Sequence, residues 1–142
     1  MKKRTICCAM ILILIVMTGC MYLKPNEGDT MRPLASALTH VSPQVENVVR
    51  YEKPPANATD EELLALATKS DPGLLDSFKG YKLRIYSQDR HAIILLCTED
   101  GKRGLLEDLG CTAPLDRNLW KEDAAMPCEF SLSVELGCGL RK

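Results

Sequence analysis

The chain predicts an α+β domain, and three observations carry that reading. A capping-box sequence opens an apolar stripe at Thr59, so a helix comes first. The apolar period then changes from about 3.6 to 2 beyond Gly80, which marks the passage from helix to strand. Four cysteines, Cys97, Cys111, Cys128 and Cys138, fall in this region, an even number suited to stapling a small core. The expected architecture is short N-terminal helices packed on a small antiparallel sheet of three to four strands, disulfide-stapled, over residues 59–142.

The elements follow in order. In Thr59-Asp60-Glu61-Glu62, Thr59 can accept from the amide of residue 62 while Glu62 reaches back, and the two acids favour the positive end of the helix dipole. Leu63, Leu64, Leu66 and Ala67 supply the stripe of a helix over 60–69. Asp71 then caps a second short helix with Pro72 at its first position and Gly80 beyond its end. In 81–86, Tyr81, Leu83 and Ile85 alternate with Lys82 and Arg84, the pattern of a strand with one wet face. Residues 87–90 read as a turn. His91 to Cys97 is apolar on both faces and belongs centrally in the sheet.

Asp100-Gly101 is a hairpin signal, with residues 102–107 returning as a third strand. A short helix through Leu105, Leu106 and Leu109, ended by Gly110, is the competing reading, because periodicity does not decide so brief a segment. Residues 108–127 form an irregular excursion, and 129–135 restore alternation through Phe130, Leu132 and Val134, which predicts a final strand.

The N-terminal part is of another kind. Lys2, Lys3 and Arg4 precede a run from Ile6 to Met17 in which every residue is apolar or Cys, the two leading regions of a secretory signal. Spanning a membrane needs roughly 20 apolar residues, so a retained anchor reaching Leu23 is the weaker reading. Ala35-Ser36-Ala37 lies too far from the run for an ordinary cleavage site. Met17-Thr18-Gly19-Cys20 stands at its end. Here the chain resembles a bacterial lipoprotein precursor, whose lipobox is commonly Leu, a small residue, Gly or Ala, then Cys; Met17 departs from the Leu.

The resemblance covers residues 1–20 and implies that 1–19 are a signal peptide and that Cys20 is lipidated. Several acyl chains, each buried methylene contributing about 0.8 kcal/mol, would hold the protein to a membrane without threading it. Met21 in place of Asp implies the outer membrane, periplasmic face, in a Gram-negative cell. Removing residues 1–19 takes away three positive charges and leaves about −4 on 123 residues. That balance gives no reason to expect nucleic acid or anionic headgroups as partners.

Residues 20–58 carry Pro25, Pro33, Pro43, Pro54 and Pro55 and are expected to be a flexible tether, with a coil reach of about 35 Å. Ser42-Pro43 followed by Val45, Val48 and Val49 is the exception, a candidate two-turn helix packed on the domain.

Candidate chemistry is sparse. The favoured bridges are Cys111 with Cys128, closing the excursion, and Cys97 with Cys138, each contributing about 3 kcal/mol. The gaps of 14, 17 and 10 between these cysteines lack the close pairs of a four-thiolate zinc site, and no C-x-x-C dithiol is present, so neither metal nor cofactor is expected. Ser87, Asp89 and His91 are a poor triad, since neighbours in a turn project in alternating directions. Glu99 with Asp100, and Glu107 with Asp108, read as solvated carboxylates rather than acid/base pairs. Asn57-Ala58-Thr59 matches a glycosylation acceptor but serves as a helix cap. Trp120 is first a plug for a small core and second a partner contact. The function expected is a non-enzymatic, membrane-anchored binding or assembly module for another envelope protein, with a small-ligand or enzyme-inhibitory module as the alternative.

Overall fold

A computed structural model describes residues 27–119 and 126–139. The expected lipobox, residues 17–20 with the expected lipidation site Cys20, and Trp120 lie outside the described residues.

The largest departure from expectation is at the N-terminal end of this range. Helix α1 (Glu27–Asn47) runs for 21 residues and contains both Pro33 and Pro43. Met31, Leu34, Leu38, Val41 and Val45, with Val48 just beyond, recur at steps of three and four and are all buried against the sheet. Each proline removes one intrahelical hydrogen bond, and the burial of six apolar side chains outweighs that loss at about 1.5–3 kcal/mol apiece. Residues 27–48 therefore belong to the fold, and the expected tether does not extend through them. The helix continues as a π-helical turn (Val48–Glu52) and ends at Lys53, in the left-handed conformation, before Pro54-Pro55.

Helix α2 (Asp60–Ala67) has its capping box in place, with the Glu62 amide donating to Thr59 Oγ1 at 3.2 Å and the Thr59 amide to Glu62 Oε2 at 2.8 Å. A 3₁₀ turn (Pro72–Phe78) follows, started by Asp71, whose carboxylate accepts from the Gly73 amide.

Strands β1 (Tyr81–Gln88), β2 (His91–Thr98), β3 (Gly104–Leu109) and β4 (Arg117–Asn118) form an antiparallel sheet in sequence order. Asp89 and Arg90, both at positive φ, make the two-residue hairpin turn between β1 and β2, a geometry whose twist matches that of the strands. Residues 104–109 are strand, not helix. The fourth strand comes from within the excursion, and 129–135 are not a strand. There the Ser131 and Leu132 amides donate to the Glu107 carboxylate, so a side chain substitutes for a ladder, and α3 (Val134–Gly137) is a single helical turn.

The sheet is covered on both faces. Ala92, Ile94 and Leu96 of β2 pack with α1, α2 and the 3₁₀ turn. Ile93, Leu95 and Cys97 face the C-terminal segment, with Leu119, Cys128 and Val134. Arg84 extends over the Phe130 ring and donates to the Cys128 carbonyl at 2.7 Å. Two disulfides hold this segment down, and their pairing corrects the expected one: Cys97–Cys128 and Cys111–Cys138. Cys97 lies on the face of β2 turned to residues 126–130, and Cys111 just past β3 lies beside α3. The observed partners are thus those already adjacent across the sheet's second face.

Candidate functional site: a carboxylate, a histidine and two sulfurs

The chemistry-bearing side chains converge where α1 crosses the start of β2 and the end of β3. Gly110 permits the crossing. A Cβ there would stand 2.6 Å from Glu46 Cβ and 2.8 Å from the Ser42 carbonyl, separations no side chain tolerates. With nothing at Gly110, Glu46 reaches the sheet and is only 4 % exposed.

Glu46 has three partners. Its Oε2 accepts from the Ala92 amide at 2.7 Å, a β2 donor beside the edge of the ladder. Its Oε1 lies 2.6 Å from His91 Nδ1 and 3.0 Å from Arg50 Nη2, one helical turn on. A carboxylate oxygen can only accept, so His91 donates from Nδ1, and the 3.0 Å approach of Arg50 to the same nitrogen follows from both donors sharing one oxygen. Arg90 donates to the Arg50 carbonyl through Nε and Nη2, tying the β1–β2 turn to the π-helical turn.

Two sulfurs also lie near the His91 ring. A ring nitrogen of His91 and the Sγ atoms of Cys111 and Cys138 are all within 4.8 Å of one another. His91 is buried, whereas both cysteines are partly exposed. The other bridge differs, with Cys97 at 0 % and Cys128 at 6 % exposure.

A second acidic cluster adjoins this site. Asp108 is 1 % exposed and faces Ser42 of α1, and its Oδ1 accepts from the Asp116 amide at 3.3 Å. Asp116 in turn accepts from the Leu109 amide and the Thr112 hydroxyl. Burial pushes the Asp108 carboxyl up to about 6; the Ser42 hydroxyl opposes the shift and the Asp116 carboxylate adds to it. Glu107, fully buried, accepts from the Ser131 amide and hydroxyl and from the Leu132 amide. Glu107 and Asp108 are therefore interior groups, and the expectation of solvated carboxylates is corrected. Asp100 is the solvated type, held below the usual carboxylate range by the Thr98 hydroxyl and the Lys102 amide.

The expected groupings rearrange accordingly. Ser87 and Asp89 are exposed, while His91 is turned to Glu46, so those three form no triad. All four candidate cysteines are bridged. Sequence reasoning misses Glu46 and Arg50 because the prolines around them suggest a tether; their four-residue spacing on a helix is the available signal. Among the described residues no buried side-chain nitrogen or oxygen lacks a partner. Nor is any helix there long and apolar enough to cross a membrane.

No protein-family model, no curated protein and no solved structure matches this chain.

Proposed function

We propose that this protein is a bacterial envelope lipoprotein, tethered through Cys20, whose folded domain binds or helps assemble another envelope protein. The observation that carries the proposal is the placement of Gly19-Cys20 at the end of the apolar run that follows Lys2, Lys3 and Arg4. Two disulfides in so small a fold support it independently, since such bridges persist in oxidising compartments.

The fold alters how such a module would work. Only six residues separate Cys20 from Glu27, a reach of at most about 25 Å when fully extended. The domain would sit against the bilayer rather than ranging about 35 Å from it. Its contact surface is better sought on the helical layer than at the sheet edges. Asp60 Oδ1 accepts from the Ile85 amide and so occupies part of the β1 edge, and β4 is only two residues long. Leu66, 38 % exposed, walls two open clefts, one with Gln44, Asn47 and Val48 and the other with Pro55, Ala58 and Ala65. Tyr51, on the π-helical turn, is 67 % exposed.

In cells fed an acyl label, Cys20→Ala should abolish labelling and leave the precursor unprocessed; labelling that survives the substitution rejects the anchor. Photo-crosslinking from position 66 should capture a discrete envelope protein. A stoichiometric small molecule retained by the purified domain, with no crosslinked protein, would instead favour ligand binding.

A further inference from the structure

The His91–Cys111–Cys138 cluster has the composition of a metal site whose two thiolate ligands are stored as a disulfide. We propose that two-electron reduction of the Cys111–Cys138 bridge opens a zinc(II) site, with the two cysteine thiolates and His91 Nε2 as ligands and Glu46 as the carboxylate behind the histidine.

Four observations lead there. A ring nitrogen of His91 and the two sulfurs already lie within 4.8 Å of one another, although residues 91, 111 and 138 are far apart in sequence. Zinc bonds of about 2.3 Å to sulfur and 2.0–2.1 Å to nitrogen put tetrahedral ligand atoms roughly 3.5 Å apart, so forming the site needs side-chain shifts of about an ångström. Second, Glu46 accepts the Nδ1 hydrogen bond at 2.6 Å. That bond leaves the Nε2 lone pair to give, and a carboxylate behind a histidine both orients the ring and raises its basicity as a ligand.

Access is the third point. The sulfurs of this bridge belong to partly exposed residues, while Cys97–Cys128 is buried, so a soluble dithiol meets the first before the second. The fourth concerns give in the backbone. Cys138 closes the one-turn helix α3, followed by Gly139 at φ +68°, whereas His91 is fixed in β2 and Gly110, next to Cys111, is held by its amide's bond to the Ala92 carbonyl. Cys138 is thus the ligand that can move when the sulfurs separate.

The chemistry balances with a dithiol as reductant. Its two thiols pass two electrons and two protons to the Cys111–Cys138 bridge, giving two cysteine thiols and the reductant's own disulfide. Zinc then displaces both thiol protons and binds the two sulfurs and the imidazole. Three protein ligands leave the fourth tetrahedral position to water, the arrangement of an open rather than a closed zinc site. Sequence spacing misses this set because one ligand is a histidine at the start of a strand and its supporting carboxylate is on α1.

The test uses the full chain in detergent with Cys7, Cys8 and Cys20 replaced by Ser, so that the four bridge cysteines are its only thiol ligands and the outcome is independent of the anchor. Reduced with a phosphine, it is titrated with zinc, and with cobalt(II) as an optical probe. The expected result is no binding by the oxidised chain, one equivalent by the reduced chain, and a cobalt–thiolate absorption in the near ultraviolet. Cys111→Ser with Cys138→Ser should abolish it, and His91→Gln should weaken zinc at least tenfold while keeping the thiolate band.

Alkylation mapping of the reduced, otherwise unsubstituted sites supplies a readout that no variant's misfolding can spoil. Zinc should slow alkylation of Cys111 and Cys138 relative to the zinc-free reduced chain and leave the rates at Cys97 and Cys128, which their burial sets, unchanged. No zinc uptake by the reduced chain, zinc-dependent protection of Cys97 and Cys128 equal to that of Cys111 and Cys138, or affinity unchanged by His91→Gln would each overturn the assignment.

Discussion

Asp108 is the residue whose environment most alters its chemistry. Burial and the nearby Asp116 carboxylate raise its carboxyl to about 6, so the folded chain holds a proton between about pH 4 and 6 that the unfolded chain has released. Stability therefore falls as pH rises through that window. The loss is about 1–3 kcal/mol, since each pH unit between the folded and unfolded titrations corresponds to about 1.4 kcal/mol. Denaturation midpoints measured between pH 4 and 7.5 should show the decline, and Asp108→Asn should flatten it, since the amide stays neutral and its Oδ1 still accepts from the Asp116 amide. Gly110 makes a second prediction at this scale. Gly110→Ala places a methyl against Glu46 Cβ and the Ser42 carbonyl and should cost about 1–3 kcal/mol in chemical denaturation. Neither property was legible in the sequence. An acid next to another acid at a strand end reads as wet, and only the arrival of α1 over β3 makes Asp108 dry.

At the scale of elements, legibility depended on whether the local signals agreed. The α2 capping box, the turn before β2 and the all-apolar β2 carried consistent signals, and the structure bears them out. In α1 the signals conflicted. Two prolines spoke against a helix, while Met31, Leu34, Leu38, Val41, Val45 and Val48 kept a three-four apolar repeat through both of them. The repeat won because a buried face contributes per residue whereas a proline costs only at its own turn. Leu38, wholly buried midway along that face, tests the point. If α1 is part of the cooperative core, Leu38→Ala should lower stability by about 2–5 kcal/mol, whereas a mere tether would register no change. The predicted last strand failed for the converse reason. Its alternation was sound, but the hydrogen bonds a strand would need are supplied by Glu107, a partner the pattern of one segment does not reveal.

At the largest scale the described residues form a sheet closed on one face by helices and on the other by a strap, residues 126–139, attached at Cys97, at Cys111 and through Glu107. The need for two bridges was legible in the cysteine count, but their partners depended on which face of the sheet each sulfur occupies. The connectivity also bears on how the molecule matures. In chain order the bridges interleave, 97 to 128 and 111 to 138, so neither joins cysteines that are successive in the chain. If the chain is exported N-terminus first, as the proposed lipoprotein would be, Cys97 and Cys111 meet an oxidant before either native partner has arrived, and a bond formed then is a wrong one. Reaching the native pairing then requires exchange, a step lasting seconds to hours depending on oxidant and isomerase. The interleaved strap would make the yield of this protein depend on a disulfide-reshuffling catalyst more than on the oxidant that first joins the sulfurs.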